Sequence, residues 1–138
     1  NYRPLQVLTW KKVKYDSAQT PADDRGVYAF VLNAKVIGTG PFPPLSAILY
    51  VGETGESSDA TLKSRLQSYR NKKAQRDRAR LWSMLEQWGD NLDFYYATVS
   101  VGVSTKACEN ALLDALLPPA NKKDFSATVR HARDYAFE

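Results

Sequence analysis

Two short apolar runs, Gly26-Val27-Tyr28-Ala29-Phe30-Val31-Leu32 and Ala47-Ile48-Leu49-Tyr50-Val51-Gly52, decide how this chain folds. Each is unbroken, and each is bounded by Gly, Pro or Ser, the pattern of a strand buried on both faces. Paired as an antiparallel hairpin, the runs bring Tyr28 and Tyr50 near one another at the same end of a sheet. A phenol is a costly core filler, because its hydroxyl needs a partner when buried. Gly26 and Gly52 flank the two phenols and let another backbone or a phosphate approach closely. The pair therefore reads either as the rim of a site or as two ordinary strand tyrosines.

Composition narrows the setting. The chain has 138 residues, 43% hydrophobic and 25% charged, which suits one soluble globular domain with a core of its own. A net charge of +4 leans toward anionic partners without establishing nucleic-acid binding. One cysteine, Cys108, and one histidine, His131, exclude a disulfide framework and a Cys/His zinc site within the chain. No stretch approaches the roughly 20 apolar residues of a membrane span, and no signal peptide is visible, so no membrane partner and a cytoplasmic location are expected. The first residue is Asn1 rather than Met, as expected of a trimmed piece or one domain of a longer protein. Oligomeric state is not encoded in any readable pattern.

Outward from the hairpin, residues 1–25 carry scattered apolar anchors (Leu5, Val7, Leu8, Trp10, Val13, Tyr15) and read as an extension packing on the domain. Lys11, Lys12 and Lys14 read as a solvated face. Asn33 to Ser46 holds Gly38, Gly40, Pro41, Pro43 and Pro44, too long a link for a tight turn. After Gly52 a polar loop leads to a helix with Asp59 as its expected N-cap and Leu62, Leu66 and Tyr69 as its apolar stripe. Lys63, Arg65, Arg70, Lys72, Lys73, Arg76, Arg78 and Arg80 crowd one short stretch against a single acid, Asp77. That run is either a solubilising surface or a phosphate-facing groove. A second helix, Ala79 to Trp88, has Leu81, Trp82, Leu85 and Trp88 as its expected core stripe. Leu92 to Val101 reads as a third strand. Ser104 or Thr105 caps a last helix that runs to Leu117 and stops at Pro118-Pro119. On it, Cys108 reads as a small core residue, and Glu109 lies beside the apolar stripe. A carboxylate turned toward a core needs a partner, and a divalent cation is one. Residues 122–138 read as a polar tail with a helical stretch around Ala127 to Tyr135. His131, inside that tail, carries little weight.

In this order the pieces resemble the GIY-YIG nuclease family. Gly26-Val27-Tyr28 stands for the first signature and Tyr50-Val51-Gly52 for the second. Thr61-Leu62-Lys63-Ser64-Arg65-Leu66 is similar to the helix that follows, with its arginine at Arg65, and Glu109 through Asn121 is similar to the family's metal-binding glutamate and downstream asparagine. The likeness covers about Gly26 to Asn121. It departs in a longer stretch between the two tyrosines and in extra residues, about Glu56 to Ala60, after Gly52. The fold implied is α/β (α+β), a small three-stranded antiparallel sheet flanked by helices, with the nuclease-like domain at 26–121.

The resemblance implies phosphodiester hydrolysis in DNA. Glu109 would hold one Mg²⁺ or Mn²⁺, and Arg65 would clamp the scissile phosphate with its planar fork. Tyr28 would take the proton of the attacking water, Tyr50 would position the water or phosphate, and Asn121 would orient Glu109 or the site. A phenol near pKa 10 is a poor base at neutral pH. Arg65 would have to lower it, or the proton would pass through Tyr50 or a water on the metal. Lys63, Arg70, Lys72, Lys73 and Arg76 would supply phosphate contacts. The competing expectation is a module that keeps the fold as a nucleic-acid-binding or adaptor domain without turnover.

Overall fold

A computed structural model describes residues 7–33, 46–71, 75–116 and 118–121. Four strands, β1 (Lys11–Lys14), β2 (Gly26–Asn33), β3 (Ser46–Thr54) and β4 (Leu92–Thr98), form one antiparallel sheet in the order β1-β4-β2-β3. Three helices accompany it: α1 (Leu62–Arg70), α2 (Ala79–Trp88) and α3 (Thr105–Leu116). The hairpin is the one expected, with Tyr28 opposite Gly52 and Phe30 opposite Tyr50, and β4 takes the other side of β2.

The sheet has four strands rather than three. Lys11-Lys12-Val13-Lys14 leaves the N-terminal extension to pair with β4, Val13 opposite Phe94. Only Val13 of these four points inward, so no alternation exists to be read from so short a piece. Exposed lysines on an edge strand are a usual guard against edge-to-edge pairing. The extension is tied down further by Tyr15, whose hydroxyl donates to the Tyr69 carbonyl at 2.8 Å. Arg70 braces it from α1, giving Nε to the Tyr15 carbonyl and Nη2 to that of Lys14, both at 2.9 Å.

Alternation along β2 sends side chains to opposite faces of the sheet. Tyr28 and Phe30 join Phe94, Tyr50 and Tyr15 against α1 and α2, where Leu62, Leu66, Tyr69, Leu81, Met84 and Leu85 close a largely aromatic core. Val27, Ala29, Val51 and Ala97 face the other way and pack on Cys108 and Leu113 of α3. The sheet is thus sandwiched between α1 and α2 on one side and α3 on the other.

Local chemistry explains most element limits. α1 starts after Thr61, not Asp59. Thr61 Oγ1 accepts from Ser64 N, and Ser64 Oγ accepts from Thr61 N, a reciprocal cap that Asp59 cannot make from two residues upstream. Ser104 Oγ caps α3 by accepting from Ala107 N at 3.0 Å. In α2 the core positions are Leu81, Met84 and Leu85. Of the expected stripe, Leu81 and Leu85 are core, but Trp82 is half-buried and Trp88 is 36% exposed. The expected tail helix and His131 lie outside the described residues. Among those described, no helix is long and apolar enough to cross a membrane.

Phe94 lies at the middle of the aromatic core, stacked 5.1 Å from Tyr28 and edge-on to Phe30 at 5.3 Å. Phe94→Ala should cost about 3–5 kcal/mol in chemical denaturation. A cost below about 1 kcal/mol would mean this core is not packed as described.

Candidate active site

The site begins with one crossing. Tyr28 leaves the central strand β2 and lays its ring over β3 at Gly52, so closely that a Cβ there would sit 2.3 Å from the phenol oxygen. This is the close approach that a glycine in the second apolar run permits. The Tyr28 hydroxyl meets that of Tyr69 on α1 at 2.5 Å. Tyr50, whose ring stacks 6.4 Å from Tyr28, accepts a hydrogen bond from Arg78 Nη2, and the Arg78 guanidinium lies 5.6 Å from the Tyr50 ring centre. Arg65 stands one helical turn before Tyr69 on α1, on the same face. Its Nε is buried without a hydrogen-bond partner.

Electrostatics in this cluster run against an ionised phenol. Burial pushes Tyr28 well above the ordinary phenol range; Tyr69 and Tyr50 add to the rise, and Arg65 only partly offsets it. Burial also raises Tyr50, with Arg78 pulling the other way. Arg65 therefore acts on Tyr28 in the direction the sequence requires, but desolvation wins. Both tyrosines are protonated near neutral pH.

Glu109 approaches from the other face of the sheet. One turn before it, Thr105 donates through Oγ1 to Glu53 at 2.7 Å; one turn after it, Leu113 packs on Val51 and Ala29. Glu109 thus lies alongside β3 near Gly52, with the strand between it and the phenols. It is 7% exposed, and its carboxylate accepts from Lys106 Nζ at 2.7 Å. The bound ammonium shows that the carboxylate can take a cation. Among the described residues no group of three or more His, Cys, Asp or Glu could hold a metal ion. A cation at Glu109 would have one protein carboxylate and fill its remaining positions with water or substrate oxygen, a mode that suits Mg²⁺.

Asn121 closes the free edge of β3. Its Oδ1 accepts from Val51 N and its Nδ2 donates to Val51 O, each at 2.9 Å and buried. The amide is committed to the backbone between Tyr50 and Gly52. It orients the strand that carries the site rather than the Glu109 carboxylate. Next to it, Arg80 Nη1 donates to the Asn121 carbonyl at 3.2 Å.

The loop that reads as extra length in the sequence has a structural task. Glu56 accepts from Ser104 Oγ, Thr105 N and Thr105 Oγ1 within 3.1 Å and lies 3.6 Å from Arg25. The bonds from Ser104 and Thr105 hold its carboxyl below the usual range. Negative charge at a helix N-terminus is favourable, so this loop pins the helix that carries Glu109.

The structure therefore brings Tyr28 and Tyr50 together and places Asn121 at their strand, with Arg65 beside Tyr28 and Glu109 across β3. Sequence reading missed Tyr69, assigned to a core stripe, and Arg78, left within a charge run. The i, i+4 spacing of Arg65 and Tyr69 was the one available signal. Three members of the expected phosphate-contact set lie among the described residues. Arg70 is spent on backbone carbonyls of the N-terminal segment, Lys63 is half-buried, and Arg76 stacks 5.7 Å from the Trp82 ring. Lys72 and Lys73 lie outside the described residues. Comparison of the chain with protein-family models, with curated proteins and with solved structures finds no match. The site's chemistry is argued from its own residues.

Phenols raised in the folded state have a testable sign. Tyr28, Tyr50 and Tyr15, the last pushed up to about 12 mainly by burial, bind their protons more tightly folded than unfolded. Their contribution to stability should be complete below about pH 10 and lost as pH rises above it. Among the eight tyrosines, phenolate absorbance should show Tyr15 ionising only near pH 12, and Tyr28 and Tyr50 only above the ordinary phenol range or on unfolding. All eight ionising together near pH 10, with near-ultraviolet circular dichroism intact, would contradict the buried cluster.

Proposed function

We propose that this chain is a GIY-YIG-like endonuclease that hydrolyses phosphodiester bonds in DNA with one divalent metal ion, Mg²⁺ or Mn²⁺. The observation that carries the reading is the convergence of Tyr28, Tyr50 and Tyr69 hydroxyls with Arg65 and Arg78 at the edge of β3. That combination suits a phosphodiester, where charge builds on non-bridging oxygens as the bond to the leaving oxygen breaks. The unpartnered Arg65 Nε is a donor in want of an acceptor, which a phosphate oxygen supplies. Arg78 offers a second cation whose orientation is held by Tyr50.

Protonated phenols give the tyrosines a specific part. The Tyr28 oxygen accepts a hydrogen bond from the attacking water and orients it for in-line approach. As the water oxygen bonds to phosphorus and the bond to the leaving oxygen breaks, the water's proton would pass through the linked Tyr28 and Tyr69 hydroxyls to solvent, and the leaving oxygen would take one up from solvent. Tyr50 sets the position of Arg78. Glu109 would hold the metal, displacing the half-exposed Lys106 ammonium, and Asn121 keeps β3 in place beneath the cluster. When bound, the metal would supply electrostatic stabilisation of the phosphate and the leaving oxygen.

A second reading is a binding module without turnover. It is favoured by the raised phenols and by the ammonium already paired with Glu109.

Cleavage separates the two. Supercoiled plasmid, linear duplex, single strand, flap and four-way junction would be incubated with Mg²⁺, Mn²⁺ or EDTA. Wild type should cut at least one of them with metal only. Glu109→Ala and Tyr28→Phe should each lose about 100-fold or more in rate, given the usual size of a proton-transfer or charge-stabilising contribution. Salt-sensitive binding with no cutting would favour the binding module. Metal-independent cutting, or full activity in Glu109→Ala, would overturn the assignment of Glu109.

A further inference from the structure

Beside the phenol cluster runs a groove of about 390 Å³ between α2 and the segment ending at Asn121. Its floor is apolar, made by Leu49, Met84 and Ala120, and Ser83 and Gln87 line its α2 wall. Arg80 stands at the end nearer the site and Trp88 at the other. Leu49 directly precedes Tyr50, and Arg80 follows Arg78 by two residues, so the groove is built from the chain segments next to those of the tyrosine cluster. The eight-residue span from Arg80 to Trp88 is roughly 12 Å along the helix.

We propose that this groove holds an unpaired nucleic-acid strand next to the bond to be cut, which makes single-stranded or branched DNA, rather than intact duplex, the preferred substrate class. Three features favour that occupant. Arg80 lines the groove at the end nearer the site, a cation placed where a strand's phosphate would pass. The apolar floor and the 36% exposed indole of Trp88 suit flat base faces, which a duplex hides in its stack. The groove is also tied to the site, because Arg80 bonds the Asn121 carbonyl and the Asn121 amide bonds Val51, the residue after Tyr50. The inference rests on the nuclease reading for the strand's register relative to the site, while strand binding itself is measurable without cleavage.

The test is binding in EDTA, where no metal-dependent cutting intervenes. A fluorescein-labelled oligothymidylate and a blunt duplex of equal length would be titrated with wild type, Ser83→Glu, Gln87→Glu and Trp88→Phe. Both glutamate changes sit at exposed positions, and thermal melting checks that they fold. Wild type should bind the single strand about 10-fold more tightly than the duplex, and either glutamate should weaken single-strand binding by about 10-fold. Unlabelled oligothymidylate should quench tryptophan emission in wild type and much less in Trp88→Phe, with affinity kept within about threefold because a phenyl ring still stacks. Unchanged binding in both glutamate variants, or equal quenching in Trp88→Phe, overturns the groove whether or not the protein cuts. Equal affinity for duplex and single strand overturns the substrate class. Displacement of the probe by polyglutamate as readily as by oligothymidylate would mean that the groove reads charge alone, and would overturn the base-stacking proposal. Groove-dependent binding with no cleavage on any substrate would leave the groove standing and remove the nuclease reading.

Discussion

The passage of Tyr28 over Gly52 is the contact on which the rest of the arrangement depends. It takes a phenol from the central strand to the sheet's edge and sets its hydroxyl against Tyr69. Any side chain at position 52 would occupy the space of that oxygen. Around the crossing, the core is unusually aromatic. Tyr28, Phe30, Tyr50, Tyr69 and Phe94 pack at centroid separations of 5.1–6.4 Å, so the site's polar groups rest on rigid, well-packed rings. Pre-organisation of this kind holds catalytic or binding groups in place without a cost at the moment of use.

Two opposing effects meet in the cluster, and burial outweighs charge. Arg65 and Arg78 draw their phenols toward ionisation, but removal from water and the neighbouring phenols push harder the other way. The tyrosines therefore act as protonated hydrogen-bonding groups in the free protein. At Glu109 the balance differs. Its partner Lys106 is half-exposed, so another cation can take the ammonium's place, while the buried carboxylate needs one or the other.

Both faces of β3 are supported from a distance. Asn121 spends its amide on Val51, two buried hydrogen bonds of about 1 kcal/mol each, and removes the free edge that would invite another strand. Glu56 holds the start of α3, which carries Glu109 against the opposite face. The groove along α2 adds a different mix of chemistry, with Arg80 at one end and an apolar floor.

The amino-acid sequence by itself determined the hairpin, the helices and most of their limits. Unbroken apolar runs and helical spacing record which side of an element meets a core, and Ala79–Trp88 was legible to the residue for that reason. It also placed Tyr28 near Tyr50, because a single hairpin joins them. β1 was not legible, since one inward residue in four makes no pattern. Trp88 was misread because an aromatic at helical spacing gives the same signal whether or not anything covers it. Only the tertiary structure decided that Arg70 braces a backbone while Arg78 reaches a phenol, and that Tyr69 meets Tyr28 from 41 residues away. Periodicity reports how each residue faces its own neighbours in the chain. Which polar ends converge depends on how separate elements pack, and no local pattern carries that information.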